Sequence, residues 1–441
     1  FSGKHSQQTL SIPTLIMRLF VLSLCCLQLA LLASAVKEDE ELFDWQEFHL
    51  TIENPQAAAT VRHYVNARDF LVANENHLGY TESVVVPPQE VIGFMAFLGN
   101  LQVKYEILEK DVGGMLLRAR LENKLSARAF NNDPSTYFAQ SSEIYTWMEG
   151  LVSQNSGVAS LVSIGRSYEG RNLRVLRLNM NGGSNKPVIF IDAAIHAREW
   201  LAPATLNYIV KQLINDYKAG NSEVRTLMNK FDWHFMPVVN PDGYDYTFRS
   251  SSTRYWRKTR KPYRFAYGAD PNRNFDFMFG GPGTSNNPSS DIYHGPNAFS
   301  EPETKALSDY LTGIRNQLQQ GMYISFHTYG QWWLTPPGYT RSLPSDHTEM
   351  MRVGNAAAAA IRAVSGQNFR VGQPANVGLY EAAGGSYDWV KYRLGVKYSF
   401  TPELRPYYNG SLSGFSPSAR EIPNSGKEIY QAVKAVVKEI M

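Results

Sequence analysis

From residue 172 to the C-terminus, short apolar runs alternate with helix-forming segments, and this alternation constrains the fold most strongly. Strands are predicted at 174–179, 188–195, 233–239, 321–326 and 396–401, and helices at 203–217, 301–319, 350–364 and the C-terminus. Strands that are apolar along their whole length need cover on both faces, as in a sheet between two layers of helices. The sequence therefore predicts an α/β domain with a mixed, mostly parallel sheet flanked by helices on both faces.

Residues 36–128 differ from the rest of the chain in charge. They carry 15 acidic and 9 basic residues, whereas residues 129–441 carry 25 acidic and 32 basic. Apolar stretches at 83–86 and 103–108 predict a small α+β domain. Its end, 116–128, favours a helix and contains four trypsin-type sites, at Arg118, Arg120, Lys124 and Arg128. This segment is either a solvated linker or the end of a removable inhibitory pro-segment.

The first 35 residues are typical of a secretory leader. An apolar run at 19–33 follows Met17-Arg18 and ends in Ala33-Ser34-Ala35, which indicates a signal peptide that begins at Met17. Its fifteen residues are fewer than the roughly 20 that a membrane-spanning helix needs. Both cysteines lie in this run, so the secreted chain must rely on its core. A net charge of +3 predicts neither nucleic acid nor membrane as a partner.

Three potential metal ligands follow two of the predicted strands. His196 and Glu199 come after the strand at 188–195, and His327 comes after the strand at 321–326. Open α/β sheets bind ligands at the carboxyl ends of their strands. A strand-capping histidine and a helix-opening glutamate would explain His196 and Glu199 alone, but the second histidine favours a metal. Two histidines and one glutamate leave a fourth zinc position open, as in catalytic sites.

Seven motifs occur in order between Ala129 and the C-terminus, and together they resemble the zinc metallocarboxypeptidases of the pancreatic carboxypeptidase A and B type. They are His196-Ala-Arg-Glu-Trp200, Asn240-Pro-Asp-Gly-Tyr244, Trp256-Arg-Lys-Thr-Arg260, Asp270-Pro-Asn-Arg-Asn-Phe275, Ser325-Phe-His-Thr-Tyr329, Tyr380-Glu-Ala-Ala-Gly-Gly-Ser-Tyr-Asp-Trp389 and Thr401-Pro-Glu-Leu-Arg405. The resemblance implies an exopeptidase, with residues 1–35 as leader and signal, 36–128 as pro-segment and 129–441 as catalytic domain.

The resemblance also implies a role for each site residue. One Zn²⁺ is held by His196, Glu199 and His327, Glu403 is the general base, and Arg257 stabilises the oxyanion. The substrate-binding residues are Arg273, Asn272 and Tyr380 for the terminal carboxylate, Arg198 as an assisting cation, Tyr329 in the upstream groove and Tyr387 in the pocket floor. A structural alternative for Glu403 is a salt bridge to Arg405.

In relatives that remove Lys or Arg, an aspartate occupies the position of Tyr387. We therefore expect release of neutral aliphatic or aromatic residues from peptide or protein C-termini. The expected enzyme is a secreted, digestive monomer that a trypsin-like protease activates. Two departures from the family pattern affect the pocket rim: Pro402 before the catalytic glutamate, and a longer 405–415 connection that contains the sequon Asn409-Gly-Ser411.

Other functions remain as alternatives. A catalytically silent protein that binds peptides on the same fold is the first alternative, and the complete set of site residues disfavours it. A serine hydrolase is disfavoured because the chain has no Gly-x-Ser-x-Gly motif. A metalloendopeptidase would carry His-Glu-x-x-His, which is also absent.

Overall fold

The computed structural model describes residues 42–68, 70–75 and 81–441, without the side chains of 73–75 and 81–82. The predicted signal peptide and the first residues of the predicted pro-segment lie outside the described residues. Within the described part, no helix combines the length and apolar composition needed to cross a membrane.

Residues 42–109 form a small α+β domain. Its four-stranded sheet is antiparallel, in the order β2-β3-β1-β4, with the strands β1 Gln46–Thr51, β2 Leu71–Glu75, β3 Thr81–Val86 and β4 Lys104–Glu109. Helices Pro55–Asn66 and Val91–Asn100 cover one face. Their apolar sides meet the sheet in a core that includes Phe48, Val61 and Phe94. This core confirms the predicted α+β unit.

One long helix, Val112–Ala129, leaves the small domain. Asp111 caps it, because its carboxylate accepts a hydrogen bond from the Gly114 backbone N–H at 2.9 Å. All four basic residues of the predicted cleavage region lie on this helix. Arg118 and Arg128 are exposed, and Arg120 and Lys124 are partly buried.

The large domain contains an eight-stranded sheet in the order β13-β12-β14-β11-β7-β8-β6-β5. Its strands are β5 Ala159–Arg166, β6 Asn172–Leu178, β7 Val188–Ala193, β8 Asp232–Met236, β11 Met322–Phe326, β12 Trp332–Leu334, β13 Arg370–Gly372 and β14 Tyr398–Glu403. Four of the seven strand pairs are parallel, which confirms the predicted mixed sheet. A separate hairpin consists of β9 Pro262–Tyr263 and β10 Ala266–Tyr267.

Helices cover both faces of this sheet. They are Ser141–Gln154, Leu201–Lys218, Ser222–Lys230, Pro241–Tyr246, Pro302–Gly313, Arg315–Leu318, His347–Ser365, Pro374–Val377, Ser386–Tyr392 and Glu421–Lys438. Along β7, Ile189 and Ile191 enter one core, whereas Val188 and Phe190 enter the other. This alternation explains why the whole strand is apolar.

Several predicted boundaries were wrong. The helix predicted at 301–319 is broken at Ile314, whose φ of −107° and ψ of 14° are not helical. The strand predicted at 233–239 ends at Met236, because Pro237 has no N–H for the ladder. The last strand is Tyr398–Glu403 rather than 396–401. Glu403 therefore ends a strand instead of following one.

Candidate active site

The sheet brings the three predicted metal ligands together. Strands β7 and β11 are parallel neighbours with Phe326 opposite Ala193, so both end at the same edge. Just beyond these ends, Nδ1 of His196 and Nδ1 of His327 are 3.1 Å apart. The Glu199 carboxylate is 2.8 Å from the His196 Nδ1 and 3.0 Å from the His327 Nδ1. All three side chains are buried.

A second layer of polar groups orients the two imidazoles. Nε2 of His196 is 3.1 Å from Oδ1 of Asp270. Donation from Nε2–H to this carboxylate leaves the Nδ1 lone pair for a metal. Nε2 of His327 is 3.4 Å from the Ser325 hydroxyl, which in turn donates to Asp192 at 2.6 Å. Each histidine thus has a polar partner on the side away from the other ligands.

The three ligands perturb one another's pKa values. Burial and the Arg257 cation lower the pKa of His196. For His327, burial acts to lower the pKa, but the Glu199 carboxylate outweighs it and raises the pKa. For Glu199, burial acts to raise the pKa, and the two imidazoles outweigh it and lower it. The carboxylate is therefore ionised, as a metal ligand must be.

These groups fit a zinc ion. Ligand atoms from His196, Glu199 and His327 all lie within 4.8 Å of one another. Nitrogen and carboxylate oxygen are zinc donors, and three protein ligands leave a position for water or substrate. Two Nδ1 lone pairs that face each other in a buried site repel unless a proton or a cation lies between them. A divalent cation would replace the proton that His327 shares with Glu199.

A cavity of about 100 Å³ opens beside this cluster. Its polar lining consists of His196, His327, Arg257, Asn272, Arg273, Tyr380, Thr401 and Glu403, and its less polar lining consists of Leu334, Pro374, Leu379, Ala382 and Tyr387. Eight of the eleven residues predicted for the site lie in this lining. The structure thus places a cationic side, a carboxylate and an apolar end in one cavity.

Asp270 links three parts of the cavity wall, although its sequence motif gave it no role. Its Oδ2 accepts hydrogen bonds from Nε and Nη2 of Arg257, at 3.1 and 2.8 Å. Its Oδ1 accepts from the Asn272 backbone at 2.8 Å and faces His196. Burial would raise the pKa of Asp270, but Arg257 and His196 outweigh it and hold the pKa well below its usual range. The only sequence signal was an aspartate before Pro-Asn-Arg, a turn-forming pattern.

A turn fixes Arg273 and Asn272. The Arg273 guanidinium donates to the Gly283 carbonyl at 2.9 Å and to the Asn272 carbonyl at 3.0 Å. Within the described residues, its Nη2 makes no hydrogen bond. The Asn272 side-chain oxygen accepts from the Ser386 backbone at 2.9 Å. The arginine is therefore held in place while one of its donor nitrogens stays available.

Glu403 lies opposite the metal ligands at the end of β14. The backbone groups on either side of it bond to His327: the His327 N–H donates to Pro402 at 3.0 Å, and the Leu404 N–H donates to His327 at 2.9 Å. Burial raises the pKa of Glu403. The structural alternative of a pair with Arg405 is wrong, since Arg405 instead pairs with Glu421 and Glu428.

Arg198 and Tyr329 lie outside the cavity, in an adjacent group. Nη1 of Arg198 is 3.2 Å from the Asp291 carboxylate, and its guanidinium lies 4.5 Å from the Phe415 ring centre. The Tyr329 ring packs edge-on against Phe415 at 5.0 Å. We call Arg198, Tyr329 and Phe415 the upstream cluster. Phe415 was not predicted, because it lies in the 405–415 connection that departs from the family pattern.

A fold with this sheet edge, a His₂Glu triad and a half-buried carboxylate opposite it defines a metal-dependent hydrolase. The family model for zinc carboxypeptidase matches residues 144–432. The chain is 33% identical over 426 residues to zinc carboxypeptidase A 1 of Drosophila melanogaster, covering 94% of this chain and 97% of that protein. It is 38% identical over 367 residues to carboxypeptidase A2 of Mus musculus, covering 82% and 84%.

The solved structure of carboxypeptidase A from Helicoverpa armigera superposes with a TM-score of 0.77 at 27% identity, covering 90% of this chain and 98% of that chain. The chain belongs to the zinc carboxypeptidase family. It is a metallocarboxypeptidase of the A type, its cofactor is Zn²⁺, and peptides are its substrates.

Proposed function

We propose that this enzyme is secreted as a monomeric digestive precursor and, once cleaved, releases neutral C-terminal residues from peptides. The observation that carries the proposal is a single cavity that joins two of the three metal ligands, the half-buried Glu403 carboxylate, three substrate-binding groups and an uncharged end. His196, Glu199 and His327 hold the metal. Secretion rests on the leader pattern at residues 1–35, and the digestive role rests on the family resemblance.

Glu403 and Arg257 carry the reaction. Zinc in this site would lower the pKa of water towards 7 and polarise the scissile carbonyl. A Glu403 carboxylate oxygen takes a proton from the attacking water and passes it to the leaving amine. Arg257 stabilises the developing oxyanion. Burial acts to lower the Arg257 pKa, but Asp270 outweighs it and raises it, so this cation stays charged at every physiological pH.

The terminal carboxylate binds to Arg273, with Asn272 and Tyr380 as further donors. A guanidinium pairs with a carboxylate through charge-assisted hydrogen bonds. Arg273 is 3% exposed, so water competes weakly for it. Arg198 assists from the upstream cluster, and Tyr329 contacts residues before the scissile bond.

The uncharged end of the cavity selects neutral side chains. Tyr387 forms its floor, and burial keeps the pKa of its hydroxyl well above the usual value, so the floor carries no charge. The neighbouring Asp388 is absent from the cavity lining, and its carboxylate accepts hydrogen bonds from the Gly338 N–H at 2.9 and 3.0 Å. A buried Lys or Arg side chain would lack a partner, which costs several kcal/mol.

Residues 36–128 act as an inhibitory pro-segment. Leu42, Val85, Val112 and Leu116 pack in one apolar cluster with Tyr255, Tyr329, Leu412 and Phe415. The Glu47 carboxylate also accepts hydrogen bonds from the Leu412 N–H at 2.8 Å and the Ser411 hydroxyl at 3.1 Å. These contacts support coverage of the upstream cluster until a trypsin-like protease cuts the Val112–Ala129 helix.

Hydrolysis of blocked dipeptides tests the proposal. The trypsin-treated chain should release Phe or Leu much faster than Arg, and a zinc chelator should abolish release. Equal rates with and without the chelator would contradict metal catalysis. A preference for Arg would show that another acidic group reaches the pocket, so that Tyr387 does not set specificity.

A further inference from the structure

The segment 247–269 contains seven basic residues and no acidic one. Three of them are buried and bound. Arg254 donates to the Arg198 carbonyl at 2.9 Å, Arg257 pairs with Asp270, and Lys258 donates to the Pro288 carbonyl at 2.6 Å. The other four are Arg249, Arg260, Lys261 and Arg264, which are exposed or partly exposed. Catalysis and packing therefore account for only part of this charge.

Arg249, Arg260 and Arg264 lie among aromatic rings on the surface. The Arg260 guanidinium is 3.7 Å from the Tyr246 ring centre, 4.5 Å from that of Trp256 and 4.7 Å from that of Tyr267. Arg249 lies 5.2 Å from Tyr246. Arg264 and Phe265 form the turn of the β9–β10 hairpin, where Phe265 is 83% exposed. We call Arg249, Arg260, Arg264 and these rings the basic-aromatic patch.

No carboxylate among the described side chains forms an ion pair with a cation of the patch. Across residues 42–68, 70–75 and 81–441, no salt bridge involves Arg249, Arg260 or Arg264. Glu169 acts on Arg260 only through a longer-range charge interaction, and it lies 2.6 Å from Arg171. Exposed aromatic rings beside unpaired guanidinium groups are a common feature of interaction surfaces.

A continuous wall joins the patch to the upstream cluster. Arg198 contacts Tyr255 and Asp291, and these two residues line a cleft of about 620 Å³ together with Trp256. Trp256 in turn packs on Arg260. The opposite wall of this cleft belongs to the pro-segment, and includes Trp45, Phe70 and Leu71. Loss of the pro-segment would therefore expose Tyr255, Trp256 and Asp291, which lie between the upstream cluster and the patch.

We propose that the basic-aromatic patch binds acidic residues of the substrate a few positions upstream of the scissile bond. The proposal rests on the proposed function, because it assumes that the peptide leaves the active site past Arg198. Arg260 follows Arg257 by three positions, which sets an upper limit of about 10 Å on the distance between their Cα atoms. An extended peptide covers this distance in about three residues, and the length of the arginine side chains brings the next two residues within reach as well. Carboxylates there would pair with the guanidinium groups, while the rings contact the peptide.

Matched peptides test the proposal. Two seven-residue peptides ending in Leu, one with Glu and one with Gln at the third to fifth residues before the scissile bond, are compared on the full chain after trypsin treatment. We expect kcat/KM to be about 3- to 10-fold higher for the Glu peptide at low salt, because each exposed charge pair contributes modestly. The preference should disappear near 0.5 M salt, where charges are screened.

A variant with Arg249→Gln and Arg264→Gln should lose the preference. Lys218→Gln with Lys230→Gln removes the same charge from exposed helix positions that do not line the cleft, and should keep it. Release of Leu from a blocked dipeptide should be equal in all three proteins. If neither the unmodified protein nor either double variant releases Leu from the dipeptide, the proposed function is contradicted, and the patch is then judged by peptide binding alone.

Binding of the same peptides, labelled and followed by fluorescence anisotropy, tests the patch without turnover. Equal binding or hydrolysis of the Glu and Gln peptides by the unmodified sequence would overturn the proposal. It would also be overturned if the arginine variant kept the preference. If the arginine variant keeps the peptide preference but binds a sulfated polysaccharide resin more weakly than the unmodified protein, the patch is a polysaccharide site instead.

Discussion

Glu47→Ala should weaken the closed state of the proposed precursor, in which residues 36–128 cover the upstream cluster. Glu47 is fully buried on β1. Its carboxylate accepts hydrogen bonds from the Ser411 hydroxyl, the Leu412 N–H and, at 2.8 Å, the Ser83 hydroxyl. The Ser411 hydroxyl and the Leu412 N–H both lose their acceptor, and each costs about 1 to 3 kcal/mol when it stays buried and unpaired. Relief of the buried carboxylate offsets part of this cost. A net loss of about 1 to 3 kcal/mol corresponds to 5- to 150-fold weaker closure.

The delay between cleavage and activity measures this effect. Trypsin is added to the full chain, cleavage is followed on gels, and hydrolysis of an eight-residue peptide is followed in parallel. In the unmodified protein, activity should appear after cleavage, because the cut pro-segment remains bound. In Glu47→Ala the delay should shorten. Glu53→Ala, an exposed change on the same domain, is the control. An unchanged delay in Glu47→Ala would refute the reasoning.

Closure should also depend on pH. Burial raises the pKa of Glu47 above 4.5 in the closed state, so this state binds the proton more tightly than the open one. The stabilisation is complete below pH 4.5 and is lost as the pH rises through the raised pKa. Glu47→Gln keeps the shape and a hydrogen-bonding oxygen, but it does not titrate. In Glu47→Gln, the delay between cleavage and activity should therefore lose the pH dependence that the Glu47 carboxyl causes.

Four further changes test the active site. Glu403→Gln should keep zinc content and peptide binding while kcat falls about 10²- to 10⁴-fold; equal kcat would remove its role as base. Arg273→Ala should abolish the preference for a free over an amidated C-terminus in kcat/KM, and a retained preference would assign recognition elsewhere. Asp270→Asn should lower zinc affinity about 10- to 100-fold in chelator competition, because His196 loses its carboxylate partner; unchanged affinity would contradict this positioning. Finally, the ratio of the dipeptide rate to the rate for an eight-residue peptide should be higher in the uncut chain than in the cut chain. No described pro-segment residue lines the metal cavity, so a short substrate still reaches it. An unchanged ratio would contradict coverage of the upstream cluster.

Motif order and strand position together predicted most of the cavity. His196 and His327 each follow a buried strand, and parallel strands that are neighbours must end at the same edge. The residues that support the cavity were harder to predict, because they act over long sequence separations. Asp270 serves Arg257 and His196 at once, and a sequence shows neither contact. Its motif identified only a turn.

The contacts between the two domains could not be predicted at all. Glu47 meets Leu412 across 365 positions, and only the docking of two folded surfaces brings them together. Local breaks were also missed, as at Ile314, where the apolar period continues although the helix does not. Periodicity reports which face is buried, but not where the backbone changes direction.

Under the proposed activation, the Val112–Ala129 helix also sets the order in which a protease reaches its basic sites. A protease reads its substrate as an extended chain, so every basic site on this helix must first unwind. Helix ends fray more easily than helix interiors. Arg128, one residue before the helix ends and two before the exposed Phe130, needs the least local unfolding, and Arg120, at the middle of the helix, needs the most. Under the proposed activation, a first cut at the frayed end would free the preceding turn of the helix for a second cut.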